Sequence, residues 1–336
     1  MTTDALSEVL QGVRLTGAIF FDIHCSSPWV AEAPKASVIV DRVLPGAEHM
    51  MEYHLVTSGA CWAGIVGEPP VEIAEGDIIV FPQGDAHTIS SAPGMRGDVQ
   101  TQIYQHPTNG QLPVALSLDR GGPERCSMVC GFIGCDARPF NPLLAALPRL
   151  IHVQKARVPA YGLILHLITA AVRESDARSA GSQSVLARLS ELLFIEVVRY
   201  HLATLPHDTS GWLAGLRDEV VGRALQALHH RPAHAWTIQV LAEEVGQSRS
   251  MLAERFHELV GTPPMHYLAR WRMQLAASML TSSTATLAEI ADRVGYGSEA
   301  ALSRAFKRLV GVAPTTWRES AEARRNAVPE ADAEME

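Results

Sequence analysis

Three groups of side chains in this sequence have types and spacings suited to chemistry. Glu52 and His54 stand two residues apart at the head of an extended apolar run. Strand alternation puts both on one face. The five cysteines, Cys25, Cys61, Cys126, Cys130 and Cys135, all lie before position 136. On a strand, the i, i+4 spacing of Cys126 and Cys130 puts both thiols on one face, with Cys135 opposite unless Gly131 or Gly134 introduces a bulge. An odd number of cysteines argues against a structural disulfide framework. Small buried hydrophobes, a redox pair and metal ligands remain open readings for them. The third group is basic. Arg304, with Lys307 and Arg308 one turn on, marks the outward face of a helix, as entry into a DNA major groove requires.

The elements that must position these groups fall into blocks. From Thr16 to about Val129 the chain reads as short strands (AIFFDIH, ASVIVDRVL, YHLVTSGACWAGIV, DIIVFP, HTIS, VQTQIYQ) parted by Pro, Gly, Asp and Ser. Such spacing predicts a sandwich or small barrel. After Pro142 the period changes to helical, first over Leu143–Leu150, then over Ile164–Val172. A third helix carries Leu186, Leu189, Leu193, Val197 and Tyr200, with Leu192, Ile195 and Val198 widening the stripe. So broad an apolar surface suits packing on the barrel and pairing with a second copy, or burial within one chain. Residues 205–215 (LPHDTSGWLAG) break the pattern and read as a linker.

Beyond the linker the sequence repeats itself. Leu241-Ala-Glu-Glu-Val-Gly246 matches Ile290-Ala-Asp-Arg-Val-Gly295, and Phe256…Leu259-Val-Gly261…Pro264 matches Phe306…Leu309-Val-Gly311…Pro314. In the second copy a short helix opens on a capping box, Thr286-Leu-Ala-Glu289. A glycine turn follows at Gly295–Gly297, then a helix N-capped by Ser298 and stopped at Gly311. Two short helices joined by a tight turn form the helix-turn-helix pattern. Pro264–Leu280 has helical period without a breaker. About 16 residues would span roughly 24 Å, a spacer able to hold two recognition helices in successive major grooves about 34 Å apart.

Two resemblances follow. Gly76-Asp-Ile-Ile-Val-Phe-Pro82-Gln-Gly84-Asp-Ala-His87 is similar to the second motif of the cupin barrel, with Ser91 where Asn is usual. Glu52 and Gly59 match the end of the first motif, whereas Gly46 and Glu48 replace its paired histidines. The resemblance implies that Glu52, His54 and His87 converge inside a barrel. There they would be satisfied polar groups, hold a small-molecule effector, or bind a metal. The repeated module, with Arg270-Trp-Arg-Met273, the Gly-Tyr-Gly-Ser-Glu-Ala-Ala turn and the closing Gly-Val-Ala-Pro…Trp-Arg318, resembles the AraC/XylS family of bacterial transcription regulators. Leu302 stands where that family often has an aromatic. Cys130-Gly-Phe-Ile-Gly-Cys135-Asp looks like its cupin-containing branch. Carried over, the base-facing positions are Arg249, Ser250, Ala253 and Glu254 in the first unit and Glu299, Ala300 and Arg304 in the second. Ala301 and Ser303 also face outward there. Ser248, Ser298 and Lys307 are placed for phosphates.

The expected fold is therefore α+β. A cupin-like barrel over residues 1–140 and a helical dimerisation or packing segment over 141–205 come first. A linker (206–216), an all-α double helix-turn-helix domain (217–320) and an acidic disordered tail (321–336) follow. The implied partners are double-stranded promoter DNA, RNA polymerase through the family resemblance, a second copy of the chain, and a small-molecule effector. A cupin-fold metal-dependent enzyme fused to a DNA-binding domain is the alternative, set against by the missing histidine pair. The net charge of −8 is unevenly spread: 217–325 holds fourteen Lys and Arg against eleven Asp and Glu, which permits DNA binding. No signal peptide or membrane span is visible, so a cytoplasmic, nucleoid-associated protein without membrane contact is expected.

Overall fold

The computed structural model describes residues 4–105, 112–157, 162–177, 179–206 and 208–326. In chain order, helix α1 (Ala5–Gly12) leads into strands β1 (Thr16–Ser26) and β2 (Val30–Ala33), then helix α2 (Ala36–Val43). Strands β3 (His49–Ile65), β4 (Val71–Ala74), β5 (Ile78–Phe81), β6 (His87–Ser90), β7 (Val114–Asp119) and β8 (Arg125–Cys135) follow. Helix α3 (Pro142–Ala146), strand β9 (Ile151–Val153), α4 (Leu163–Ala177) and α5 (Ser182–Thr204) complete this part. The remainder is helical: α6 (Trp212–Arg217), α7 (Glu219–His230), α8 (Ile238–Glu244), α9 (Arg249–Val260), α10 (Pro264–Ser282), α11 (Leu287–Arg293), α12 (Glu299–Val310) and α13 (Pro314–Asn326).

These elements form two units, one of residues 15–135 and 147–204, the other of 1–14, 136–146 and 205–336. In the first, the strands run β2-β6-β3-β8-β1-β7, with β4 and β5 also on β3 and β9 on β5. Only β1 and β7 pair in parallel among the described strands. Strand β3 is what curls the sheet. Its first half pairs with β5 and β8, its second half with β4 and β6, and its register with β8 shifts between Val56 and Ser58. Gly59 stands just past that shift at φ +78°, where an added Cβ would lie 2.0 Å from the Arg125 carbonyl oxygen. Only glycine fits a left-handed backbone pressed against another strand. Phe21, Ile39, Val56, Ile73, Phe81 and Phe132 fill the concave side. Each such buried side chain contributes about 1.5–3 kcal/mol. On α5, Leu186, Leu193 and Val197 are buried, and the helix packs on β1 and β8.

In the second unit, α11 and α12 pack with α10 around Met273, Leu280, Ile290, Val294, Leu302 and Phe306. Leu302, the departure from the family's aromatic, is fully buried there. Helix α1 and residues 136–146 belong to this unit. Gln274 of α10 is fully buried, accepts from the Phe140 N–H (3.0 Å) and donates to the Gly12 carbonyl (3.3 Å). The Arg270 guanidinium lies 4.2 Å from the centre of the Phe140 ring.

Several sequence expectations change. ASVIVDRVL reads as a strand because of its β-branched run, yet Ala36, Ile39 and Val43 are the buried positions and their spacing is helical, giving α2. VQTQIYQ forms a short 3-10 turn over Thr101–Ile103 instead of a strand. The sensor part expected over 1–205 is not all in one unit, since 1–14 and 136–146 join the helical one. The second half of the expected linker is α6, with Trp212 and Leu213 buried. Residues 321–326 continue helix α13, and the rest of the expected tail lies outside the described residues.

Candidate nucleic-acid interface and barrel cavity

The two helix-turn-helix units are built by the same local devices. Thr237 caps α8 by accepting from the Val240 N–H, and Ser248 caps α9 by accepting from the Met251 N–H. Thr286 and Glu289 form the reciprocal capping box on α11, and Ser298 caps α12 through the Ala301 N–H. Each serine or threonine cap contributes about 1 kcal/mol. Gly261 and Gly311 stop α9 and α12 in the left-handed conformation. Because Leu252 and Phe256 are buried on α9, and Leu302, Ala305 and Phe306 on α12, the opposite faces are fixed outward.

Arg249, Ser250 and Glu254 are exposed on α9, as are Glu299, Ala300 and Arg304 on α12, while Ala253, Ala301 and Ser303 are half-buried. Ser248, Ser298 and Lys307 are exposed as well. Arg255 differs. It is drawn into ion pairs with Asp218 and Glu258 (3.0 Å each) and braces α9 instead of facing outward free. The arginines of the connecting helix are structural too: Arg272 donates to the carbonyls of Pro232 and His234. Arg318 likewise donates to the carbonyls of Leu280 and Ala285. Helix α10 has 19 residues, so it spans about 28 Å.

In the sheet unit, Glu52 and His54 lie on β3 with inward side chains, as strand alternation requires, and His87 opens β6. All three are buried. The His54 and His87 Nε2 atoms are 2.8 Å apart, and Glu52 Oε2 is 3.8 Å from His87 Nε2. His54 Nδ1 meets Cys130 Sγ at 2.8 Å, because the two residues are direct cross-strand partners. His87 Nδ1 donates to the Asp85 carbonyl oxygen at 2.9 Å. The other Glu52 oxygen, Oε1, is buried without a hydrogen-bond partner. Burial pushes the Glu52 carboxyl up to about 8. It also lowers His87 to about 4 and holds His54 well below the usual imidazole range, with His87 adding to the latter effect. Both imidazoles are therefore neutral at physiological pH, the form that offers a lone pair.

The three residues line one wall of a cavity of about 310 Å³. Its apolar walls include Phe21, Ile23, Trp29, Leu116, Met128 and Phe132. That volume and lining suit a small molecule with an apolar body and a polar end. Trp29 and Tyr104 also line the cavity, although the sequence pattern did not single them out. Tyr104 follows the Thr101–Ile103 turn, where no periodicity betrays an inward ring.

All five cysteines are buried. Cys126 and Cys130 share the core with Cys25 and Cys61, whereas Cys135 stands outside that cluster, as alternation along β8 predicts. Burial raises the Cys25 thiol to about 12 and Cys130 well above its ordinary value. Cys61 hydrogen-bonds to Cys126, which lowers Cys126 and, with burial, raises Cys61. Reactive cysteines are exposed thiolates near positive charge. The environments of Cys25, Cys61 and Cys130 are the reverse.

Comparison with known proteins agrees with both halves. Residues 4–203 match the cupin family model and residues 241–320 a helix-turn-helix domain model. An AraC-like transcription regulator of Streptomyces lividans is 37% identical over 277 residues, which is 81% of this chain and 88% of that protein. The HTH-type transcriptional regulator AlkR of Acinetobacter baylyi is 29% identical over 331 residues, covering 94% of this chain and 99% of AlkR. Among solved structures, the DNA-binding domain of AdpA in complex with a target DNA is 30% identical, with a TM-score of 0.31. That match covers 33% of this chain and 98% of the AdpA domain. No helix of the described residues is long and apolar enough to cross a membrane.

Proposed function

The chain belongs to the AraC family of DNA-binding transcription regulators with a cupin domain, and on that premise we propose how its parts divide the work. Helices α9 and α12 enter successive major grooves on one side of the duplex, so one chain reads an asymmetric site. What carries this reading is the duplication itself: two helices with the same serine cap, the same glycine stop and outward faces left exposed. Arg304 makes a bidentate contact to guanine, Arg249 contacts guanine or phosphate, and Glu254 accepts from a cytosine amine. Ser250, Ala253, Glu299 and Ala300 shape the same surface. Ser248, Ser298 and Lys307 hold phosphates and set the register.

The cavity is the receptor for a small effector, its polar end turned to Glu52, His54 and His87. Two chains pair through the outward side of α5, where Val185 and Leu192 stay exposed seven residues apart on one face. The complex acts in the cytoplasm and activates promoters through RNA polymerase. It is a regulator and not an enzyme. Genome-wide footprinting of the protein in its host, with wild type and Leu116→Trp compared, tests the scheme. Both should occupy the same promoters, and only the wild type should change transcription with the inducing condition. A Leu116→Trp variant with an intact response would remove the cavity from the account.

A further inference from the structure

We infer that Glu52, His54 and His87 form a divalent-metal site of the zinc type whose free coordination positions open into the cavity. The inference rests on the reading of the cavity as the receptor and says what its polar wall is made of. Four observations lead to it. The carbonyl of Asp85 can only accept, so His87 Nδ1 carries the ring proton and Nε2 presents its lone pair toward His54. A ring N–H donated to a backbone carbonyl behind the histidine is the usual way a metal-ligating imidazole is held. His54 has the same arrangement available, with Nδ1 against Cys130 Sγ and Nε2 turned inward. Glu52 Oε1 is buried with no partner, and such a group demands one. Finally, one donor atom from each of the three residues can be chosen so that all lie within 4.8 Å of one another.

Coordination at about 2.0–2.1 Å in a tetrahedron requires ligand atoms about 3.3 Å apart. The observed 2.8 Å between the imidazoles and 3.8 Å from Glu52 to His87 bracket that value. Two imidazoles and one carboxylate suit zinc and its neighbours in the first transition row and disfavour magnesium and calcium. This set is not the usual cupin arrangement. The histidine pair that would precede Glu52 is missing, and His54, two residues after it on the same strand, supplies the lost imidazole. Three protein ligands leave a position for water or for an oxygen or nitrogen donor on the effector. The apolar walls around it would take that molecule's body. A hydrogen bond from His54 Nε2 to His87 Nε2 is the metal-free alternative, and it leaves Glu52 Oε1 unsatisfied.

The test uses the full chain, stripped with a chelator and then loaded with Zn²⁺ or Co²⁺. Wild type should retain one ion per chain through desalting, and bound Co²⁺ should show visible ligand-field bands without a near-ultraviolet thiolate band. Glu52→Gln and His87→Gln should each lose the ion while unfolding at the temperature of ion-free wild type. No retained ion, equal retention by both variants, or a thiolate band would overturn the site. Should a variant fail to fold, the Co²⁺ spectrum of wild type decides alone. The readout is ion content, so failure here leaves the receptor reading standing; that reading fails separately, on the Leu116→Trp response.

Discussion

Gly246 and Gly295 occupy the same place in the two helix-turn-helix units, and replacing each with alanine separates two costs that usually come together. Both have positive φ, +69° and +78°. Alanine at either therefore pays the left-handed penalty of about 1–2 kcal/mol. Around Gly246 an added Cβ meets nothing within 4 Å. At Gly295 it would lie 2.6 Å from the Ala233 carbonyl oxygen and 2.7 Å from the Ala233 Cα, both backbone atoms that a rotamer change cannot move. Forcing them apart is an overpacking cost of about 1–3 kcal/mol. Gly295→Ala should therefore destabilise the helical unit by about 2–5 kcal/mol, and Gly246→Ala by no more than about 2. Urea unfolding followed by tryptophan fluorescence measures the difference, since Trp212, Trp236, Trp271 and Trp317 all lie in this unit. On DNA, Gly295→Ala should lose the protection given by the second unit first. Equal losses, or a larger one at Gly246, would refute the close approach of the 233 loop to the second turn.

Two further outcomes follow from the same geometry. Arg304→Ala should weaken binding by about 1–3 kcal/mol and relax preference at one base pair, whereas Lys307→Ala should weaken all sequences alike and lower the salt slope by about one. Competition binding on a randomised site separates the two; a specificity change from Lys307→Ala would reverse the assignment. His229 is fully buried, with Nε2 2.7 Å from the Tyr267 hydroxyl, which also accepts from the Trp212 indole N–H at 2.7 Å. Burial lowers His229 to about 3 from 6.5. The unfolded chain thus binds a proton between those values that the folded unit does not. Stability should be full above pH 6.5 and fall by about 1.4 kcal/mol per unit below it, or about 2 kcal/mol at pH 5. Urea unfolding at pH 7 and pH 5 reads this, and His229→Phe should flatten the slope. An unchanged slope would place the titration elsewhere.

The DNA-reading half is legible in the sequence because its signals are local. Ser248, Ser298, Thr286 with Glu289, Gly261 and Gly311 each act within a few residues, and the structure puts each where its type requires. The inward convergence of Glu52 and His54 follows from strand alternation alone. His87 needed the cupin resemblance, because its approach depends on how β3 curls past Gly59. What was not legible is long-range. Nothing near Gly12 or Phe140 announces that both are held by Gln274, more than 130 residues on. The one hint was a glutamine on an otherwise apolar helix face. Ala36–Val43 misled for the opposite reason, since a β-branched run outweighed a helical spacing of only three buried residues.

The two-groove reading is tested most directly by hydroxyl-radical footprinting of the full chain on a selected site. The account predicts two protected patches on one side of the duplex, centred about one helical turn apart, in a sequence without a palindrome. Arg249→Ala should thin one patch and Arg304→Ala the other. A single protected groove, or two patches thinned together by either substitution, would contradict it.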